Sequence, residues 1–424
     1  MSEVTVGQHK KNVLLLSAVE MFWGVGLGFV HIQTVAPAFL DDLKATASFI
    51  GLVAAASAGS MLTAQFLSGF VAEKFKKKKV TIIILHFLAP ITWLFVFVTN
   101  YYFVNFASTY HIGKMSLLIS MVVYSLIMGA IVPLYFAFIS GLVQENRRAG
   151  AFGTIFAAQC LAGAVAVYFV GGLTKEWEFP QNYAMLYLFA FLLATVGNLF
   201  LFGTQEKVDE KAPIKRGLGD YLKSQVSIPL KDKPFRKYIY ARLLLCANLV
   251  ILTFMVKYAK ERFFVGGTEW ARLFAFYFLL GQALGNQVFG RIADKWSYKA
   301  ATVIGSVLTV PAVLMALHAQ TVQFFMLAQV LAGASYASIW VTHMNIIVAF
   351  APPNERTHYI GLTAVISSIP MIIGSAVAGW VMDVWGFPVL STAVIAINAA
   401  GTLLLWFGTR IPEISSQKEV PPTR

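Results

Sequence analysis

An acidic residue inside the first long apolar segment is the strongest chemical signal in this sequence. Glu20 lies well within that segment, and no lysine or arginine lies within the adjacent helical turns. If the segment crosses a membrane, an ionisable side chain at that depth is costly and is a candidate functional group. The carboxyl group could carry a proton or bind a substrate. Alternatively, it bonds to a neighbouring helix and fixes the packing register.

Three residues follow Glu20 at helical spacing. Gly24, Gly28 and His31 stand at i+4, i+8 and i+11 from it, which predicts one shared helix face. That face is expected to line a cavity, unless the glycines serve close packing against another helix. Glu20 and His31 would be about 16 Å apart along the axis, which is too far for one metal site.

A second stripe of interest occurs near the tenth apolar segment. Tyr336, Trp340, His343 and Ile347 recur at helical spacing, with Asn345 nearby. Aromatic rings beside hydrogen-bonding groups suit a partly apolar organic ligand, although ordinary packing gives the same pattern. Other polar side chains in apolar segments could bind substrate hydroxyls or join helices at about 1 kcal/mol each; they are Tyr135, Gln159, Asn248, Gln282, Asn286 and Gln287.

The elements that carry these residues are predicted to be membrane helices. Hydrophobic residues make up 58% of the 424 residues and charged residues only 12%, whereas soluble domains are nearer 45–50% and about 25%. Apolar runs long enough to cross a bilayer recur along the chain. They predict an all-α integral membrane protein with twelve transmembrane helices at 12–39, 48–71, 80–99, 116–142, 152–172, 182–203, 237–257, 269–290, 300–318, 321–350, 359–382 and 387–409.

The basic residues give the orientation of these helices. The net charge is +13, but the lysines and arginines lie between apolar runs, which argues against a nucleic-acid partner. With both termini in the cytoplasm, most of the 33 basic residues fall on the cytoplasmic side, as the positive-inside rule requires. An outer cluster departs from the rule and indicates either snorkelling or attraction of an anionic ligand; it consists of Lys257, Lys260, Arg262 and Arg272.

Arg242 begins the seventh predicted helix near the cytoplasmic side. We expect its long side chain to reach the membrane surface there. If it faced a cavity instead, it would favour an anionic substrate.

A polar linker divides the chain. Between 203 and 237 lie thirteen charged residues and three prolines, among them Pro213. This predicts an N-terminal six-helix bundle at 1–203, a cytoplasmic linker at 204–236 and a C-terminal six-helix bundle at 237–424. Within the linker, the short segment Tyr221–Val226 is predicted to lie on the membrane surface.

Matching loop signatures indicate that the two halves are repeats. Gly69, Glu73 and Lys74 follow the second predicted helix, and Gly290, Asp294, Lys295 and Lys299 follow the eighth. Arg148 and Gly153 follow the fourth helix with the same spacing as Arg356 and Gly361 after the tenth. Equivalent signals at equivalent positions suggest parallel repeats.

These motifs resemble those of the major facilitator superfamily, whose loop motif reads G-x-x-x-D-R/K-x-G-R/K-R/K after helices two and eight. The second copy matches at Gly290, Asp294, Lys295 and Lys299, with Ser297 replacing the second glycine. The first copy is weaker, since Glu73 replaces the aspartate. The resemblance covers nearly the whole chain and implies two pseudo-symmetric bundles. It also implies a cavity lined by helices one, four, seven and ten. The polar residues on these helices are then the favoured candidates for proton coupling or substrate binding: Glu20, His31, Tyr135, Asn248, Trp340 and His343.

The resemblance further implies a gating role for the loop motifs. Gly290 would let neighbouring helices approach closely, and Asp294 would pair with a cation or cap the N-terminus of another helix. Such a contact can hold one conformation and break in the other. Arg148 and Arg356 are possible partners, and the alternative is that these charges only anchor loops.

We therefore expect a secondary active transporter of a small organic solute, coupled to protons through Glu20. The sequence has no G-x-x-x-x-G-K-S/T loop for ATP, no cofactor motif, and no Cys-based metal site or disulfide from Cys160 and Cys246. Alternatives of the same fold are a drug or metabolite exporter, and a metal-ion carrier using His31, His86 and His343. A non-transporting sensor or scaffold is a further alternative, and an enzyme has the least support.

Besides solute and protons, the expected partner is membrane lipid, in a bacterial inner membrane. Transporter and scaffold differ in one expectation. A transporter needs a solvated cavity that reaches Glu20, whereas a scaffold could pack that residue shut.

Overall fold

The computed structural model describes residues 4–32, 35–45, 47–72, 78–104, 106–144, 147–173, 177–205, 217–264, 267–352 and 356–412. Within these ranges the regular structure is helical throughout. The helices of the first half are α1 (Val6–Phe29), α2 (Val35–Asp42), α3 (Ala47–Ala72), α4 (Lys78–Tyr102), α5 (Tyr110–Leu142), α6 (Arg148–Leu173) and α7 (Gln181–Asn198). After the linker follow α8 (Leu218–Lys231), α9 (Lys233–Leu245), α10 (Ala247–Phe263), α11 (Gly267–Lys295), α12 (Tyr298–His318), α13 (Val322–Phe350) and α14 (Arg356–Leu403).

These helices account for the twelve predicted spans. Nine segments of the described chain are long and apolar enough to cross a membrane. The helix α14 holds two spans, because Gly386 adopts a positive φ of 79° and turns the chain between them. With α3, α11 and the first part of α14, the prediction of an all-α membrane protein with twelve helices is confirmed.

Two predicted spans are interrupted. The first, predicted at 12–39, consists of α1 and α2, since α1 ends at Phe29 and α2 begins at Val35. The seventh, predicted to begin at 237, begins at Lys233, where the Asp232 side chain accepts a hydrogen bond from the Phe235 amide at 2.9 Å. It is broken between α9 and α10 at Cys246. An apolar run continues through such breaks, so hydropathy does not reveal them.

A buried asparagine joins three helices of the first half. The indole Nε1 of Trp23 on α1 donates to Asn198 Oδ1 on α7 at 2.7 Å. Asn198 Nδ2 in turn donates to the carbonyl of His86 on α4 at 2.5 Å. A buried amide is stable here because both its donor and its acceptor are used.

The second half contains the same arrangement. The Asn248 amide on α10 donates to Asn398 Oδ1 on α14 at 2.9 Å, and Asn398 Nδ2 donates to the carbonyl of Ser306 on α12 at 2.8 Å. One relay thus joins α1, α4 and α7 in the first half. The other joins their counterparts α10, α12 and α14 in the second half. This agrees with the repeats that the loop signatures indicate.

The linker helix α8 is anchored beneath the membrane helices. Its Tyr221 is 0% exposed, packs against Phe66 and Phe70 of α3, and donates its hydroxyl proton to the Phe66 carbonyl at 3.0 Å. The Tyr221 hydroxyl also lies beside Gly361 on α14. The segment predicted at the membrane surface therefore contacts helices from both halves of the chain.

Candidate functional site

The Glu20 carboxyl group is buried among helices of the first half. It is 4% exposed, and Gln159 Nε2 on α6 donates to Glu20 Oε2 at 2.5 Å. The buried Tyr135 hydroxyl on α5 lies beside the Glu20 carboxyl group. No lysine or arginine of the described chain lies close to the carboxyl group. Glu20 and Tyr135, two of the predicted site residues, are thus brought together.

The glycines beside Glu20 serve close packing. A Cβ atom at Gly24 would collide with the backbone of Gln159, and one at Gly28 would lie 2.7 Å from the Gly163 carbonyl oxygen. The sequence left two interpretations of this face, a cavity lining or close helix packing. The structure shows close packing of α1 against α6. The sequence predicted an open cavity at Glu20. In this structure the packing of α1 against α6 instead buries the carboxyl group away from solvent.

His31 does not share this face. It follows the end of α1, and its carbonyl oxygen accepts hydrogen bonds from the amides of Val35 and Ala36 at 2.8 and 3.2 Å. The prediction that His31 continues the Glu20 face is wrong, because the helix ends at Phe29. The spacing rule had assumed an unbroken helix.

His343 belongs to a different cluster, in the second half. It is buried on α13, where its ring Nδ1 is hydrogen-bonded to the hydroxyl of Tyr238 on α9. Arg242, one turn after Tyr238, lies near both side chains. The Trp340 side chain lies outside the described residues. The structure therefore shows the predicted stripe on α13 without this tryptophan ring.

Asn248 lies beside a cavity between α10, α12 and α13. Its amide nitrogen is used in the relay to Asn398, while its buried Oδ1 has no hydrogen-bond partner in the described chain. The polar residues that line the cavity are Asn248, Thr309, Ser335 and Tyr336. This cavity belongs to the second half and is separate from Glu20.

Asp294 joins the two halves at the end of α11. Its Oδ1 accepts from the Ala149 amide at 3.2 Å and its Oδ2 from the Gly150 amide at 2.6 Å. Both amides belong to the first turn of α6, where a negative charge is favourable. A Cβ atom at Gly290 would lie 3.0 Å from the Ala149 carbonyl oxygen, so this glycine permits the close approach.

The other motif residues make local contacts or lie outside the described part. Lys299 Nζ donates to the Thr409 carbonyl at 2.9 Å, and the exposed Lys295 ends α11. Arg148 is buried, with one nitrogen 3.5 Å from the Ser140 carbonyl oxygen. Gly69 lies in α3; the residues Glu73 and Lys74 and the side chain of Arg356 are outside the described residues.

A polar contact that the sequence reasoning missed links Glu20's neighbourhood to the second half. Cys160, the residue after Gln159, has its Sγ atom 3.3 Å from Gln282 Oε1 and 3.6 Å from Asn286 Nδ2 on α11. Cys160 was expected to be only a small buried side chain. The available signal was the i, i+4 spacing of the two amides, which places them on one face of α11.

The outer basic cluster contacts backbone carbonyls. Arg262 Nε donates to Ala319 at 3.2 Å, and Arg272 donates to Tyr168 on α6 at 2.7 Å. The side chains of Lys257 and Lys260 are outside the described residues. Among the residues that the structure describes, no three His, Cys, Asp or Glu side chains gather in a group that could hold a metal ion.

Comparisons with known proteins agree with this architecture. The family model of the Major Facilitator Superfamily matches residues 21–271 and 265–424. The structure is similar to that of the human organic anion transporter MFSD10 (TETRAN), with a TM-score of 0.70, 14% identity, and 94% of this chain and 99% of that chain covered. It is also similar to the fucose:proton symporter FucP of E. coli, with a TM-score of 0.71, 13% identity, and 94% and 98% coverage.

FucP in the outward conformation gives a TM-score of 0.70 at 14% identity, with 94% of this chain and 98% of that chain covered. No curated protein sequence matches the chain significantly. The matched family model spans nearly the whole sequence, and the structural similarity extends over both halves. The chain therefore belongs to the Major Facilitator Superfamily.

Proposed function

We propose that this chain is a proton-coupled secondary transporter of a small organic solute in the cell membrane. The halves 1–203 and 237–424, joined by the linker 204–236, would rock about a central site to give alternating access. Membership of a transporter family supports this, as do neighbours described as an organic anion transporter and a fucose:proton symporter. The charge distribution favours an orientation with both termini in the cytoplasm, and the membrane that we propose is a bacterial inner membrane.

The observation that carries the coupling proposal is the environment of Glu20. Its carboxyl group is buried and hydrogen-bonded to an uncharged amide, with no cation of the described chain beside it. An unpaired carboxylate in such surroundings is costly, and a bound proton removes that cost. Glu20 is therefore the group that we assign to carry the coupled proton.

The packing indicates how that proton could be exchanged. Gln159, which binds Glu20, is followed by Cys160, which touches α11 of the other half. The amide that binds Glu20 thus lies one residue away from a contact between the halves. Separation of α6 from α11 during rocking would admit water to the Glu20–Gln159 pair, although the pair is closed off in this structure.

The test uses purified protein in liposomes that contain a pH-sensitive dye. A panel of sugars, carboxylates, amino acids and nucleosides is added outside, and proton movement is recorded. We expect the wild type to move protons with at least one solute and Glu20→Gln to bind that solute without moving protons. Glu178→Gln, which alters an exposed carboxyl group, is the matched control and should behave like the wild type.

Two results would contradict the proposal in different ways. Unchanged solute-driven proton movement in Glu20→Gln would remove the role of that residue. If no solute crosses the membrane in the wild type, transport itself fails. The burial of Glu20 would then favour the second candidate, a membrane sensor or scaffold in which the residue holds α1 and α6 in register.

A further inference from the structure

Arg242 occupies an unusual position for a positive charge in this protein. It is the tenth residue of α9, about 13 Å along the helix from its first residue. We had expected it to reach the membrane surface from the start of the helix. The helix begins at Lys233, so Arg242 lies further along it than the predicted start at 237 implied.

The side chain points to the interior of the second half. The residues one turn before and after it on the same face, Tyr238 and Cys246, are both fully buried, and His343 of α13 lies beside it. By contrast, Tyr240 on the outer face of α9 is 52% exposed. Arg242 itself is partly buried on this inner side of the helix.

This guanidinium group has no anionic partner within the described chain. Its Nε atom is buried without a hydrogen bond, and no described carboxylate pairs with the side chain. The nearest acid on its own helix is the N-cap Asp232, about 15 Å away along the axis, which accepts from Phe235 and Tyr359. A partly buried charge without a partner is unfavourable, so a counter-charge supplied by a ligand would stabilise it.

A second unsatisfied polar group lies in the same region. The Ser367 hydroxyl on α14 is buried without a hydrogen-bond partner in the described part of the chain. Its backbone carbonyl oxygen is 3.6 Å from the Sγ atom of Cys246, the residue one turn after Arg242. Arg242 and Ser367 thus both lie next to Cys246, and a guanidinium and a hydroxyl are both donors that a carboxylate accepts from.

We propose that Arg242, together with the Ser367 hydroxyl, binds the carboxylate of an organic anion that is the transported solute. The proposal rests on the proposed transport function and narrows its substrate class. The ring pair of Tyr238 and His343 adds flat surface beside the charge, which suits the apolar or cyclic body of such a solute. In this arrangement Arg242 recognises the substrate, while Glu20 in the other half handles the proton.

The experiment measures equilibrium binding to the purified full-length protein, which does not depend on transport. Two matched pairs of probes are used, glucuronate with glucose and benzoate with benzyl alcohol, so that each pair differs in the carboxylate. Binding to the folded state raises the midpoint of thermal unfolding. We expect at least one carboxylate to bind more tightly than its neutral partner.

Substitutions test whether Arg242 is the residue that causes the carboxylate preference. Arg242→Gln should weaken carboxylate binding by at least about 30-fold, the factor for losing one partner of a buried charge pair. Arg242→Lys should retain part of the preference, since it keeps the charge but lacks the planar fork. Lys237→Gln removes one positive charge from an exposed position on the same helix and should bind as the wild type does.

A further measurement distinguishes a binding role from a structural one. Without ligand, Arg242→Met should be at least as stable as the wild type, because it removes an unpaired buried charge. A marked loss of stability in Arg242→Met would overturn the proposal, because it would show that the charge is already paired.

The absence of a carboxylate preference in the wild type, or its persistence in Arg242→Gln, would equally overturn the proposal. A neutral or cationic solute that binds and drives proton movement would refute the anion site and leave transport intact. Carboxylate binding that requires Arg242 but gives no transport would refute the transport function and leave the anion site intact.

Discussion

Close packing between α1 and α6 can be tested by adding one methyl group at Gly24. The new Cβ atom would collide with the Gln159 carbonyl oxygen, its nearest neighbour, and would lie 2.9 Å from the Gln159 Cα atom, whereas ordinary contacts are 3.4–4 Å. The helices must separate by at least about 0.5 Å, or the backbone must distort, because the obstacle is main chain and has no alternative rotamer. Overpacking of this kind costs roughly 1–3 kcal/mol.

The matched control is Gly59→Ala on α3, where an added Cβ atom meets nothing within 4 Å. Replacing glycine by alanine inside a helix has an intrinsic gain of about 0.5–1 kcal/mol, which both variants share. The difference between their unfolding free energies is therefore expected to equal the overpacking penalty, about 1–3 kcal/mol, with Gly24→Ala the less stable.

The assay is equilibrium unfolding in mixed detergent micelles, with both variants and the wild type in the same detergent. A second readout follows from the position of Gly24 one turn after Glu20. Separation of α1 from α6 lengthens the bond between Glu20 and Gln159, so Gly24→Ala should also reduce solute-driven proton movement. If the two glycine variants were equally stable, the close contact between α1 and α6 would be refuted.

Two further predictions concern the cytoplasmic side. Asp294→Ala should lose about 1–2 kcal/mol of stability because it removes both acceptors at the start of α6, and Asp294→Asn, which keeps one acceptor oxygen, should lose less; no loss of stability in Asp294→Ala would show that the cap does not stabilise the protein. Tyr221→Ala should make the linker 204–236 cleave faster in limited proteolysis, because α8 loses its buried contact with α3, and unchanged cleavage would contradict that anchoring.

Part of the candidate site was predictable from residue type alone. Glu20 could be identified because an acid in an apolar run is rare and costly. The cap made by Asp294 was one of two expected contacts, and the structure shows it with the N-terminus of α6. Arg242 lies further along its helix than predicted, because the helix begins at Lys233 and not at 237.

The sequence by itself determined the class of protein, its twelve spans and its family, because apolar length, basic loops and repeated motifs are local properties of the chain. Only the tertiary structure decided what the polar residues touch. In the structure Glu20 is hydrogen-bonded to Gln159 of α6, and Gly24 and Gly28 pack against that helix. Arg242 has no counter-charge in the described chain. These outcomes depend on where helices break and which faces meet, and a hydrophobic run in lipid encodes neither, because all its faces are apolar.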